Sequence, residues 1–227
     1  MSFGSRLAAG SHDKRHNHPK AVEAKAAIRR HVLETLGAAS CHVFDAFAAD
    51  GEMFRRVWRE AASYTACDLK WYNDARLAYV ADNRRVLRSI ELAPFTVFDL
   101  DAFGSPWEPA IIVADRRPLQ PGERLGLILT EGSGLKLKFG SFPSALCEVA
   151  GVKPDAAGGA SSHEEVVSRA ISGWAARIGA DAVTHRWEAV RSGGSAMRYI
   201  GLVLEKKKRP GAVKPPAVAG PALLHPR

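Results

Sequence analysis

Cysteine is scarce: Cys41, Cys67 and Cys147 are odd in number, widely spaced and set among apolar neighbours. That excludes a disulfide framework and offers no zinc-ligand spacing, so the three read as small core hydrophobes. Long apolar runs are missing too. No stretch approaches the roughly 20 residues a membrane span needs, and the polar, basic start has no signal-peptide apolar region, so the expectation is a soluble cytoplasmic protein with no membrane partner. Glycine-rich phosphate-binding turns are absent as well, since Asp45 to Gly51 supplies one glycine where a dinucleotide-binding turn wants Gly-x-Gly-x-x-Gly. No metal is expected. His12, His16 and His18 lie in a polar terminus that reads as a flexible tail before it reads as a metal site.

What is present fits one sizeable α/β domain: 227 residues, 46% hydrophobic and 25% charged. The net charge of +8 is unevenly spread. Residues 206–227 carry Lys206, Lys207, Lys208, Arg209, Lys214 and Arg227 with no acid, and residues 1–20 carry Arg6, Lys14, Arg15 and Lys20 against Asp13, which leaves 21–205 close to neutral. The expected organisation is therefore a mobile basic tail over 1–20, a folded domain over 21–205, and a Pro/Lys-rich mobile tail over 206–227. Two readings of the tails stand side by side, phosphate contact with a polynucleotide and simple solubilisation.

The folded part is organised around His42-Val-Phe-Asp-Ala-Phe-Ala-Ala-Asp-Gly-Glu-Met-Phe54, which reads as strand, tight turn, helix. Val43 and Phe44 suit a buried strand, while Phe54, Val57 and Trp58 give the next helix an apolar face. Phe47 and the small residues Ala46, Ala48, Ala49 and Gly51 make a turn that a ligand can approach at the carboxyl end of a first strand. Ahead of it, Ala21 to Leu36 reads as a helix with Ile28, Val32, Leu33 and Leu36 inward, stopped by Gly37. A second strand, Ala61 to Cys67, ends on Asp68, placed like an acid that accepts from a ribose hydroxyl pair. A third, Leu77 to Ala81, ends on Asp82 and Asn83, ahead of a helix containing Val86, Leu87 and Ile90.

Phe95, Val97 and Phe98 form a fourth strand from which Asp99 and Asp101 project to one face, where two carboxylates are expected to raise one another's pKa. Phe103, Gly104, Ser105, Pro106 and Trp107 follow as an aromatic-bearing loop. Glu123 to Thr130 is a fifth strand. A helix lined by Val167, Ile171, Trp174 and Ile178 then leads to two β-rich runs, Ala182–Val190 and Met197–Glu205, whose short connection forces an antiparallel hairpin.

The Asp45–Gly51 turn resembles the first motif of class I S-adenosylmethionine-dependent methyltransferases, with Ala49 where glycine is usual. Asp99-Leu-Asp-Ala-Phe-Gly-Ser-Pro106 resembles the fourth motif of the tRNA (guanine-N2)-dimethyltransferases, with Ala102 where that family has proline. The resemblance covers roughly residues 20–205, without the family's C-terminal RNA-binding domain. It implies a Rossmann-like, mostly parallel seven-stranded sheet ending in an antiparallel hairpin, with helices on both faces.

The cofactor it implies is S-adenosylmethionine, held by Asp45, Phe47, Ala48, Ala49, Gly51, Asp68, Leu69, Asp82, Asn83 and Asp99. Asp82 would accept from the adenine amino group. Asp101 matches the catalytic acid and Phe103 the aromatic wall, with Gly104, Ser105, Pro106 and Trp107 lining the substrate side. The reaction implied is methylation of a nucleobase exocyclic amine in nucleic acid, RNA more than DNA. Two alternatives stay open: a small-molecule or protein methyltransferase, and a catalytically silent cofactor-binding subunit of a nucleic-acid-modifying complex.

Overall fold

The computed structural model describes residues 19–70, 72–102, 104–132, 141–153, 160–192 and 195–208. Among them the sheet has seven strands: β1 (His42–Asp45), β2 (Ser63–Asp68), β3 (Ala78–Val80), β4 (Val97–Leu100), β5 (Arg124–Glu131), β6 (Ala182–Ser192) and β7 (Ser195–Glu205). Their order is β3-β2-β1-β4-β5-β7-β6. The first five run parallel, and β7 pairs antiparallel with both β5 and β6. The expected topology is the observed one. Chain order reverses between β1 and β4, so the crevice available to a ligand opens at the carboxyl ends of these two neighbours.

Helices cover both faces. On one face α3 (Asn83–Ser89), α4 (Trp107–Arg116), α5 (Ser144–Ala150) and α6 (Ala160–Ile178) pack on Phe44, Phe98, Leu100, Leu127, Leu129, Ile200 and Leu202. On the other, α1 (Pro19–Leu36) and the short α2 (Glu52–Arg56) cover Val43, Val97, Ile128, Tyr199 and Val203. Alternation along each strand explains the division: Val43 and Asp45 point to the α1 side, Phe44 to the other.

Two glycines set how closely α1 approaches. A Cβ on Gly201 of β7 would lie 2.7 Å from the Ile28 carbonyl oxygen, and one on Gly126 of β5 would lie 2.5 Å from Val32 Cγ1. Bare backbone at these positions lets the helix descend onto the sheet, which carries the residue after Ile28 into the strand ends.

Two elements differ from the sequence expectation. Trp107 to Arg116 is helical rather than the end of a loop, with Pro109 in its first turn, where a missing N–H costs nothing. The helix after the first turn is brief, and Trp58–Glu60 continues it as a single 3-10 turn. No described helix is long and apolar enough to cross a membrane.

Candidate active site

The turn after β1 is held from several directions. Ala46 N donates to the Asp99 carbonyl at 2.9 Å and Ala48 N to the Cys67 carbonyl at 3.1 Å, which ties the turn to β4 and β2. Ala49 N donates to Asp68 Oδ2 at 3.0 Å. The Arg76 guanidinium donates to the carbonyls of Ala48 (3.1 Å) and Ala49 (2.8 Å). Within this frame Ala49 has φ 42, the left-handed conformation that glycine adopts at little cost. The side chain departs from the motif, and the backbone takes an angle that glycine favours. Gly51, at φ 79, leads into α2. Phe47 is partly buried against the core, and its N–H donates to Asp45 Oδ1 at 3.1 Å.

Asp68 Oδ1 accepts from Lys70 N at 2.9 Å. With Ala49 N on Oδ2, each carboxylate oxygen has one identified donor and two lone pairs, so a hydroxyl pair can still be accepted. The adjoining Leu69 is 75% exposed, an apolar side chain beside a polar anchor. The cavity lined by Ala48, Ala49, Asp68, Lys70, Tyr72 and Tyr79 has a volume of about 10 Å³, room for one water. Asp82 faces another way. It caps α3, accepting from Arg84 N (2.9 Å) and Arg85 N (3.3 Å), and pairs with the Arg84 guanidinium at 2.8 Å, which holds its carboxyl down at about 2. Asn83 turns toward the first strand, its Nδ2 donating to the Ala46 carbonyl at 3.0 Å.

Three carboxylates do converge, on the α1 face. Register places Asp45 beside Asp99. Arg29 of α1, 1% exposed, grips Asp99 with Nε on Oδ2 at 2.6 Å and Nη2 on Oδ1 at 2.7 Å, and the Trp58 indole N–H adds a third bond to Oδ2 at 2.7 Å. Arg29 Nη2 also reaches Asp101 Oδ2 at 3.1 Å, where Lys25 Nζ arrives at 2.8 Å. The Tyr64 hydroxyl donates to Asp45 Oδ2 at 2.8 Å.

The expected mutual rise of Asp99 and Asp101 is corrected for one of them. Burial pushes Asp99 up against the opposing pull of Arg29. Burial would raise Asp101 too, but Lys25 and Arg29 outweigh it and hold that carboxyl at about 2. Asp45 goes the other way, raised to about 8 by burial and by Asp99. Lys25, Arg29 and Trp58 were not among the expected site residues. The signal for Arg29 was its place seven residues after Val22 on the inward stripe of α1, a position that a solvated charge avoids.

On the substrate side, Ala102 and Pro106 are buried, and Gly104, at φ 110, accepts from Gly132 N at 2.8 Å. Among the described residues the buried Ser105 hydroxyl oxygen has no hydrogen-bond partner. Trp107 is fully buried, its indole N–H donating to Glu131 Oε2 at 2.6 Å, so its ring packs in the core instead of facing a base. Phe103, residues 1–18 and 209–227 of the two tails, and the Lys136, Lys138 and Phe139 group lie outside the described residues. Pro19 and Lys20, by contrast, open α1, and the backbone N–H groups of Lys206 and Lys207 donate to the Glu123 carbonyl and Asp181 Oδ2 at 2.9 and 2.8 Å, so the folded part reaches past 21–205 at both ends. A further buried group was not anticipated: Glu131 also lies 3.5 Å from His163 Nε2, and Arg198 Nη1 is 2.8 Å from His163 Nδ1.

No family model matches the chain. No curated protein matches it either. Solved structures do. Trm1 from Pyrococcus horikoshii, in complex with S-adenosyl-L-methionine, superposes with a TM-score of 0.53 at 16% identity, covering 82% of this chain and 55% of that one. The chain thus spans about half the length of that protein. The N-methyltransferase NodS from Bradyrhizobium japonicum WM9, in complex with S-adenosyl-L-homocysteine, gives 0.48 at 13% identity over 87% and 93% of the two chains. TYW2 from M. jannaschii, in complex with AdoMet, gives 0.47 at 12% over 81% and 77%. Together with the strand order and the antiparallel hairpin, the first of these likenesses establishes that the chain has the Rossmann-like fold of class I methyltransferases.

Proposed function

We propose that the chain is an S-adenosylmethionine-dependent methyltransferase that modifies an exocyclic amine of a nucleobase, in RNA before DNA. The observation that carries this reading is Asp101: an ionised carboxylate just past the end of β4, 11% exposed, beside the Gly104–Pro106 loop. The residues at the strand ends fit the methyl donor. Asp68 has acceptor positions for the ribose hydroxyls, exposed Leu69 offers a surface for the adenine, and the Asp45–Gly51 turn brings backbone close to the methionine part. Asp82, turned into its helix cap, has to change partners to meet the adenine amino group. The bound cofactor supplies an electrophilic methyl group.

A ring-conjugated amine is a poor nucleophile because its lone pair is delocalised, and a carboxylate accepting its N–H localises that pair. Lys25 and Arg29 both engage Asp101 Oδ2, so Oδ1 is the oxygen that such an N–H would reach. A low pKa does not disqualify this acceptor. The ammonium formed by methylating a ring-conjugated amine is a strong acid, and even a carboxylate held at about 2 takes its proton. The Arg29 clamp keeps Asp99 from competing, and Phe103 is proposed as the stacking wall. The basic tails are proposed to add sequence-independent contact with phosphate.

A second reading, methylation of a small molecule or a protein, draws on the nearly neutral 21–205 region. Transfer of radiolabelled methyl to total RNA, DNA, protein and a metabolite pool separates the two. The nucleobase reading expects label in RNA, lost in Asp101→Ala. Full transfer by that variant refutes the assignment of the acceptor.

A further inference from the structure

The cluster on the α1 face does not balance its own charge. Among the described residues Asp45 (3% exposed), Asp99 (0%) and Asp101 present three carboxylates, while Arg29 and Lys25 are the two cations that pair with them. Arg29 is spent on Asp99 and Asp101, and Lys25 on Asp101. Among the described residues Asp45 receives only neutral donors, the Tyr64 hydroxyl and the Phe47 N–H. The groups facing it are Arg29 from α1, Asp99 from β4 and Tyr64 from β2; Arg76 lies beyond Tyr64, and Cys67 of β2 packs on the opposite face of the sheet. Burial pushes both the Tyr64 phenol and the Cys67 thiol up, so neither adds charge of its own.

We propose that this unmatched carboxylate makes the crevice charge-selective, so that it holds a ligand of net charge +1 more tightly than its neutral counterpart. The inference rests on the cofactor reading above and adds a consequence to it. The methyl donor carries a sulfonium, an ammonium and a carboxylate, for a net +1; the thioether product has lost the sulfonium charge and is neutral. The product therefore leaves the element that held the donor.

In the free protein the deficit is met by a proton on the Asp45–Asp99 pair, both of whose carboxyls burial raises, Asp45 further by the neighbouring Asp99 charge. When a monocation binds, that proton leaves to solvent and the charge on the cluster is unchanged. A neutral ligand displaces no proton.

The test is isothermal titration of the full chain with S-adenosylmethionine and, separately, S-adenosylhomocysteine between pH 5.5 and 7.5, in buffers of different ionisation enthalpy. The expected result is release of about one proton with the donor and none with the product. The ratio of their affinities should rise by up to about tenfold per pH unit. Asp45→Asn, nearly isosteric and without the charge, should flatten that rise. Tyr64→Phe removes a donor that favours the anion and should move the rise to higher pH. Affinities for the two ligands that run parallel across the range overturn the charge selection and leave the cofactor reading intact, as does an Asp45→Asn variant that keeps the slope. Binding of neither ligand overturns the cofactor reading itself.

Discussion

Replacing Arg29 by methionine, similar in length and uncharged, should be among the most damaging single changes in the protein. The guanidinium is 1% exposed and makes two bonds to Asp99, at 2.6 and 2.7 Å, and one to Asp101 at 3.1 Å. Without it the Asp99 carboxylate, itself 0% exposed, keeps the Trp58 indole as its side-chain donor. Removing one partner of such a pair costs about 3–5 kcal/mol, since the other is left as a buried, unpaired charge. That is a large share of the roughly 5–15 kcal/mol that holds a domain folded.

The loss should shrink in acid, because Asp99 can then bind a proton. With its carboxyl raised above the unfolded value, the folded variant binds protons that the unfolded chain does not, and stability falls as pH climbs from about 4. Urea denaturation at pH 5.5 and 7.5, followed by circular dichroism and tryptophan fluorescence, measures both effects. Adding Asp99→Asn to Arg29→Met should recover part of the loss, since it removes the stranded charge. A single variant within about 1 kcal/mol of the parent at pH 7.5 would refute the buried-clamp argument, because only a solvent-screened pair is that dispensable.

Three further outcomes follow from the same geometry. Asp101, depressed to about 2, stabilises the fold above its unfolded value near 4 and gives that up as pH falls through 2; Asp45, raised to about 8, makes stability decline between about 4 and 8. A pH series of urea midpoints should therefore peak in mild acid, with Asp45→Asn levelling the alkaline side, and a parent protein that gains stability steadily up to pH 8 contradicts the assignment. Ala49→Gly should change stability by zero to about +1 kcal/mol, because relief of the left-handed φ offsets the extra freedom glycine has when unfolded; a clear loss in thermal melts counts against it. Gly201→Ala should cost about 1–3 kcal/mol by forcing Ile28 off the sheet, seen as a lower melting temperature with altered Trp58 fluorescence, and a silent substitution means that α1 is not seated as described.

The parallel order was legible because each of the first four strands closes on or just before an acid, and because the short link ahead of Met197 left the last pair no parallel option. The turn after Asp45 was legible through its small residues, although the backbone angle that Ala49 tolerates is invisible in a sequence. Helix α4 was not, since Pro106 and Pro109 bracket its start and imitate a loop. Asp99 and Asp101 were found, but their chemistry was misjudged for Asp101. Period-two spacing shows that two carboxylates share a face; it does not show which cations arrive from a helix some 70 residues earlier. Arg29 and Lys25 look like ordinary solvated charges until α1 is placed. Trp107, read as lining the substrate side, spends its N–H on Glu131, a long-range partnership that local pattern cannot reveal.

Of the described elements, helix α1 is made before the others, yet it rests mainly on β5, β7 and β6, the latest of the described strands. The seat for Arg29 therefore does not exist until Gly201 has been synthesised and its hairpin has paired. Until then the acids at the ends of β1 and β4 wait without their counter-charges, and α1 waits without a floor. Contacts this remote along the chain are slow to form. A chain arrested before β7 would hold every acidic residue of the crevice and still lack a finished one.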